Sequence, residues 1–372
     1  MDVQLNRRQF QLAALAAASG LSPAAAQTAR PFDAAQAAQP PADVPWLGEI
    51  QRPPLQLPRD APPVPSLLAD GKSPPIINLA AWQRRRETIQ VGWEQFLGTW
   101  EYPRRPPEYE VLSSDRLPRV TRRLIRYQSE RNVPVEAYLL EPIGSAERVP
   151  GVLVLHSTAD YTIRQPAGLE GDPAAAWGLR LAERGFVALC PRCFLWDGTI
   201  PPNYQNQVAA HAERHPGSRG MAKMLYDARR ALDLLASLEQ VDPDRLCAGG
   251  HSLGAKETLY LAAFDTRVKA AVFSEGGLSL DFSNWDAPWY LGLKPPGHDH
   301  HELLGLIAPR PFLIVGGESA DGARDWPLVA RALDVYRLFG PTCRIGLYNH
   351  RQGHTIPRPA EGRIYEWLQA YV

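Results

Sequence analysis

Apolar positions recur along this chain with two periods, and the switch between them sets out the architecture. From residue 120 onward, short apolar runs alternate with longer segments of helical period. The runs T-R-R-L-I-R-Y-Q-S (121–129) and V-P-V-E-A-Y-L-L-E-P (133–142) read as two antiparallel strands. V-P-G-V-L-V-L-H (149–156) is apolar throughout, the pattern of a strand covered on both faces. Further strands are predicted at 186–190, 246–249, 268–274, 311–316 and 344–348, and helices at 174–184, 220–239, 326–339 and 360–371. In the second of these helices Met224, Ala228, Ala231, Leu232, Leu235 and Leu238 share one face. Alternating strands and helices imply an α/β fold whose central sheet is mostly parallel, with helices on both faces.

The N-terminal part differs. Asn6-Arg7-Arg8-Gln9-Phe10 precedes a short apolar stretch, Leu12 to Ala18, and small residues at Ala24-Ala25-Ala26. This reads as a twin-arginine signal peptide over 1–26, cleaved near Ala26. Export to the periplasm or beyond is therefore expected, with no stable membrane insertion after cleavage, because the run is too short to span a bilayer. Residues 27–78 are dense in proline and alanine, which excludes a long helix or a central strand and predicts an extended arm. In the extension 79–119, Leu79, Trp82, Ile89, Trp93, Phe96 and Leu97 fall on one helical face, predicting a helix packed on the main domain, 120–372.

The chemistry concentrates at 241–264. Leu246-Cys247-Ala248-Gly249 reads as a buried strand, Gly250-His251-Ser252-Leu253-Gly254 fits G-x-S-x-G, and the next ten residues suit a helix. A strand–turn–helix with serine at the turn holds the hydroxyl above the sheet, and the glycines let strand and helix approach closely. The Leu253 amide then points from a helix N-terminus toward developing negative charge.

Charge adds little: 40 Lys and Arg balance 40 Asp and Glu. Nothing in that balance points to nucleic acid. The four cysteines, Cys190, Cys193, Cys247 and Cys343, sit in or beside apolar runs and are expected to be buried thiols. The C-x-x-C of Cys190 and Cys193 lacks a partner pair, and no metal or cofactor is expected. His298-Asp299-His300-His301-Glu302 precedes an apolar segment, so it is read as a cleft-lining loop that caps a helix.

With these positions in place, residues 120–372 resemble the α/β-hydrolases, and among them secreted dienelactone hydrolases and acetyl xylan esterases. The resemblance implies a catalytic triad in the order serine, acid, histidine. It makes Ser252 the nucleophile and His354, in the loop after the last strand, the base, with His350 in the same loop as competitor. It places the acid at Asp321, after the strand 311–316, flanked by Glu318 and Asp325. Glu275, after the preceding strand, is the alternative acid, because glucuronoyl esterases can carry theirs there. Those enzymes also have a sugar-contacting lysine four residues after the serine, as Lys256 is here, but they carry arginine where this chain has Leu253. The second oxyanion donor is expected from the amide of Ser157 or Thr158, in the loop after the third strand.

The implied activity is hydrolysis of carboxylic esters through an acyl-enzyme, with small-molecule or carbohydrate-linked esters as substrates. A serine peptidase of the prolyl-oligopeptidase type and a non-catalytic hydrolase-fold binding protein remain open. The long connections 200–219 and 278–301 are expected to set selectivity, with Trp285 and Trp289 as aromatic contacts to sugar.

Overall fold

The computed structural model describes residues 43–372, apart from 70, 72–73, 104, 145–146, 197–198, 200–202 and 282–296. The expected signal peptide, the first part of the arm, Trp285 and Trp289 lie outside the described residues. Nine strands form one sheet: β1 (Tyr109–Arg116), β2 (Val120–Glu130), β3 (Val133–Pro142), β4 (Val149–Leu155), β5 (Val187–Pro191), β6 (Val241–His251), β7 (Val268–Ser274), β8 (Phe312–Gly316) and β9 (Ile345–Asn349). Their order is β1-β2-β3-β5-β4-β6-β7-β8-β9. The first three strands and β5 pair antiparallel. From β5 to β9 every pairing is parallel. The mostly parallel sheet read from the sequence is the one observed.

Burial follows the two-residue period. Leu153 and Leu155 of β4, with Phe312 and Ile314 of β8, belong to one apolar layer. Their neighbours Val152, Val154, Leu313 and Val315 belong to the other. The first layer is completed by α5 (Gly220–Ser237), α6 (Leu253–Phe264), α7 (His301–Ile307) and α8 (Trp326–Tyr336). The second is closed by α3 (Trp177–Ala182) and α9 (Arg358–Tyr371).

The same parity separates the cysteines. Cys190 lies in the second layer and Cys193 in the first, so the two thiols are free and buried rather than bridged.

The region before β2 is part of this body, since residues 42–372 form one compact unit. Helix α1 (Leu47–Ile50) lies against β9, and the arm is fastened by Asp43 to Arg344 and Glu49 to Arg363. Helix α2 (Leu79–Leu97) buries Trp82, Ile89, Trp93 and Leu97. Its Asn78 side chain accepts from the Ala81 amide, and Gly98 closes it in the left-handed conformation. Trp93 Nε1 donates to Glu302 Oε2 at 2.8 Å, which ties α2 to α7.

Helix α1, inside the stretch read as an extended arm, was not foreseen, and neither were two further elements. The edge strand β1 is exposed on both faces, so its sequence carries no apolar alternation. Helix α4 (Tyr204–Arg214) occupies most of the connection read as a loop, and among its residues only His211 is buried.

Among the described residues no helix is long and apolar enough to cross a membrane. One buried acid gives a test of the packing. Burial raises the Glu257 carboxyl on α6 to about 8, against the hydrogen bond from Cys193 and with the help of Asp227. A carboxyl raised on folding holds its proton more tightly in the native state, so stability falls as pH rises from the unfolded value of 4.5 through 8. Glu257→Gln removes this titration. Its melting temperature should therefore gain on wild type between pH 5 and pH 8, measured by calorimetry at both pH values.

Candidate active site

The turn between β6 and α6 carries Ser252 at φ 58° and ψ −119°. A non-glycine residue is held there only when its surroundings enforce it. The Ser252 amide donates to the Ser274 carbonyl at 2.8 Å, fastening the turn to β7. The glycine spacing has a measurable reason. A Cβ on Gly254 would lie 2.0 Å from the Leu155 carbonyl oxygen, so only glycine lets α6 start so close to β4. Gly254→Ala should cost about 3 kcal/mol or more of stability, or prevent folding. Urea denaturation checks this, and a midpoint equal to wild type would contradict it.

His354 follows β9 and meets a carboxylate at Nδ1, where Glu275 Oε2 lies at 3.1 Å. Glu275 is fully buried, whereas the His354 side chain is 42 % exposed. The expectation for the acid is corrected here: the carboxylate on His354 is Glu275, and Asp321 does not bond to the imidazole. Glu275 has φ 52°, a second strained residue one position beyond the end of β7.

The two acids brace one another's loops. Glu275 accepts from the amides of Gly317, Ala320 (2.8 Å) and Asp321 (3.4 Å), all in the loop after β8. Asp321 in turn accepts from the amides of Gly277 (2.9 Å) and Leu278 (2.6 Å), in the loop after β7. Each carboxylate thus sits in the other strand's loop. Burial first, and then the Glu275 charge, raise the Asp321 carboxyl. Asp325 is also buried and raised, and it accepts from the Gly322 amide at 2.8 Å. Glu318 accepts from the Ala323 amide and the Asn349 side chain. Neither flanking acid bonds to His354.

His350, the competing base, is partly buried, and its Nδ1 accepts from the Gln352 amide at 3.1 Å, which fixes the loop. His251, beside the serine, stacks obliquely on His354 with ring centroids 4.6 Å apart. Its Nδ1 meets Ser274 Oγ at 3.1 Å, and burial lowers its pKa to about 3, so it stays neutral next to His354.

Across the cleft, the loop after β4 is pinned by His156. The Cys193 amide donates to His156 Nε2 at 3.0 Å, so the ring proton is on Nδ1, which donates to the Ser157 carbonyl at 2.7 Å. Burial pulls this imidazole down to about 4, which preserves the neutral tautomer. Ser157 Oγ donates to Gln165 Oε1 at 2.8 Å. Neither His156 nor His251 was singled out from the sequence; each stands next to an expected site residue.

Ser157, Thr158, Asp160, Tyr161, Gln165, Asp172, His251, Ser252, His354 and Thr355 surround a cleft of about 520 Å³. Leu253 is buried at the first turn of α6. Lys256 is not a surface lysine. It is 2 % exposed, and its Nζ donates to the Gly277 carbonyl at 2.6 Å, which places it behind the loop that carries Glu275. The H-D-H-H-E segment, expected as a cleft-lining cap, instead runs into α7: His301 and Glu302 are its first residues, the His300 side chain makes no capping bond, and none of the five lines the cleft. Asp299 accepts from Ser279 and from the Leu280 and His300 amides, and His298 pairs with Glu302 at 2.7 Å.

A serine on a strained strand–helix turn and a histidine backed by a buried carboxylate line one cleft beside a mostly parallel sheet. Comparison with known proteins bears on the fold. Residues 135–286 match the dienelactone hydrolase family. The chain has the α/β-hydrolase fold. Among solved structures, the chain is similar to a glucuronoyl esterase from Solibacter usitatus, with a TM-score of 0.64 and 18 % identity over 85 % of this chain and 99 % of that one. It is similar also to a glucuronoyl esterase from Teredinibacter turnerae T7901, with TM-score 0.60, 20 % identity and coverage of 82 % and 88 %. Acetyl xylan esterase 1 from Thermoanaerobacterium sp. JW/SL YS485 gives TM-score 0.53, 16 % identity and coverage of 77 % and 94 %. YtaP of Bacillus subtilis (strain 168) is 33 % identical over 101 residues, which are 25 % of this chain and 34 % of that protein. The match thus spans about a third of that curated relative.

Proposed function

We propose that this protein is a serine carboxylic-ester hydrolase that works through an acyl-enzyme. The observation that carries the reading is the bond between His354 Nδ1 and the buried Glu275 carboxylate, on the cleft that also holds strained Ser252. In this reading His354 Nε2 takes the Ser252 proton during attack on the ester carbonyl and returns it to the leaving alcohol. Glu275 fixes the tautomer and stabilises the imidazolium. The tetrahedral oxyanion is held by the Leu253 amide and the amide of Ser157 or Thr158, each donor contributing about 3 kcal/mol. Water then repeats the sequence on the acyl-enzyme.

The named neighbours are carbohydrate esterases, and the cleft's polar lining suits a hydroxylated substrate. Carbohydrate-linked esters are therefore the proposed substrate class. The twin-arginine pattern at Arg7-Arg8 supports export, which places the enzyme where such esters are met. Assays with p-nitrophenyl acetate, its anilide analogue, and acetylated and glucuronoylated sugars test the proposal. Turnover of the esters without the anilide is expected. Anilide cleavage at a comparable rate would point to a peptidase, and no turnover of any of them to a binding protein.

A further inference from the structure

At the end of β2, three side chains converge. His211 and His215 stand four residues apart, at the last turn and C-cap of α4. Glu130 reaches them from the end of β2. One donor atom from each lies within 4.8 Å of the others. His215 Nε2 is 2.5 Å from Glu130 Oε2. His211 is fully buried; its Nε2 meets Ser218 Oγ at 3.1 Å, and its Nδ1 has no hydrogen-bond partner. A buried imidazole nitrogen without a partner is costly unless something approaches it. Trp100 stacks on His215 at 4.2 Å and leans on His211 at 5.2 Å, holding both rings in place.

The surrounding charges suit a cation. Lys223 Nζ lies 2.6 Å from Glu130 Oε1 and 2.6 Å from Asp227 Oδ1. Two carboxylates share one ammonium, and Glu130 keeps its other oxygen toward the histidines. An open cleft of about 650 Å³, lined by Trp100, Glu130, His215 and Tyr226, gives access from solvent.

We propose that Glu130, His211 and His215 form a site for a divalent transition metal of the zinc type, completed by water from this cleft. Two imidazoles and one carboxylate select zinc, copper or nickel over magnesium and calcium. The metal enters between His215 Nε2 and Glu130 Oε2, which part from 2.5 Å to about 3.3 Å, while the His211 donor, within 4.8 Å of both, closes on it. The ion clamps the end of β2 to the end of α4, and none of its three ligands lines the ester cleft, so its role is structural.

Untagged protein, stripped with chelator and dialysed, is titrated with cobalt(II) alone and, separately, with zinc(II) in a calorimeter. The expected result is the intense visible absorption of four-coordinate cobalt, saturating at one equivalent, with a higher melting temperature on zinc loading. His211→Gln and Glu130→Gln should each lose the absorption and the melting shift while hydrolysing p-nitrophenyl acetate at the wild-type rate. If His211→Gln fails to fold, His215→Gln, nearer the surface, gives the same reading. Wild-type protein that shows only weak six-coordinate cobalt, an adventitious ion, overturns the proposal, and so do variants that keep the four-coordinate spectrum.

Discussion

Ser252→Ala is expected to lower ester turnover by about a million-fold while leaving the fold and melting curve close to wild type. The size follows from what the hydroxyl does. Without it there is no acyl-enzyme, and the remaining rate comes from the oxyanion donors acting on bound water. The fold should survive because the turn is held by backbone. The Ser252 amide still donates to Ser274, and Gly254 still lets α6 begin beside Leu155. Alanine must adopt the same φ of 58°, a strain serine already bears. Steady-state rates on p-nitrophenyl acetate, with a circular dichroism melt of the same samples, check both halves. Turnover within ten-fold of wild type would remove Ser252 from the chemistry.

The second large effect separates the two buried acids. Glu275→Gln keeps the shape of the side chain but removes the charge facing His354 Nδ1, and turnover is expected to fall about ten-thousand-fold with little change in KM. Asp321→Asn acts at one remove. It weakens the hold on the Gly277 and Leu278 amides, bonds to a charged acceptor worth about 1.5–3 kcal/mol together with their setting. Its cost in turnover is therefore expected to stay below about a hundred-fold, accompanied by a lower melting temperature. The reverse ranking, with Asp321→Asn the more damaging, would return the acid to the loop after β8.

That contrast shows where sequence reading stopped. The elbow was legible because three signals coincide at Ser252: a buried strand before it, a helix after it, and glycines where the backbones must touch. His354 was legible from its place after the last strand. The acid was not. Glu275 and Asp321 follow neighbouring parallel strands, and either side chain can reach the histidine from there. The choice is made by the crossed hydrogen bonds, in which each carboxylate binds amides of the other's loop. Such pairing is long-range and leaves no local pattern.

Lys256 illustrates a related limit. Two readings were open, a substrate contact and a helix-surface lysine. The side chain instead turns inward to the Gly277 carbonyl, because nearly all of α6 is buried. Helix α4 hid for the opposite reason. It is mostly polar or small, with only Tyr204 and Val208 packed against the core from its apolar side, so it was read as part of a long connection. The same polarity places His211 and His215 at a helical spacing of four, a signal that becomes meaningful only once Glu130 is seen beside them.

The measurement that bears most directly on the central claim is covalent labelling with a fluorophosphonate, read by peptide mass spectrometry alongside residual ester hydrolysis. The account predicts one label per chain, on Ser252, with activity lost in proportion, and labelling of Glu275→Gln slowed far more than that of Asp321→Asn. Full labelling at another residue, or esterase activity that survives full labelling of Ser252, would contradict it.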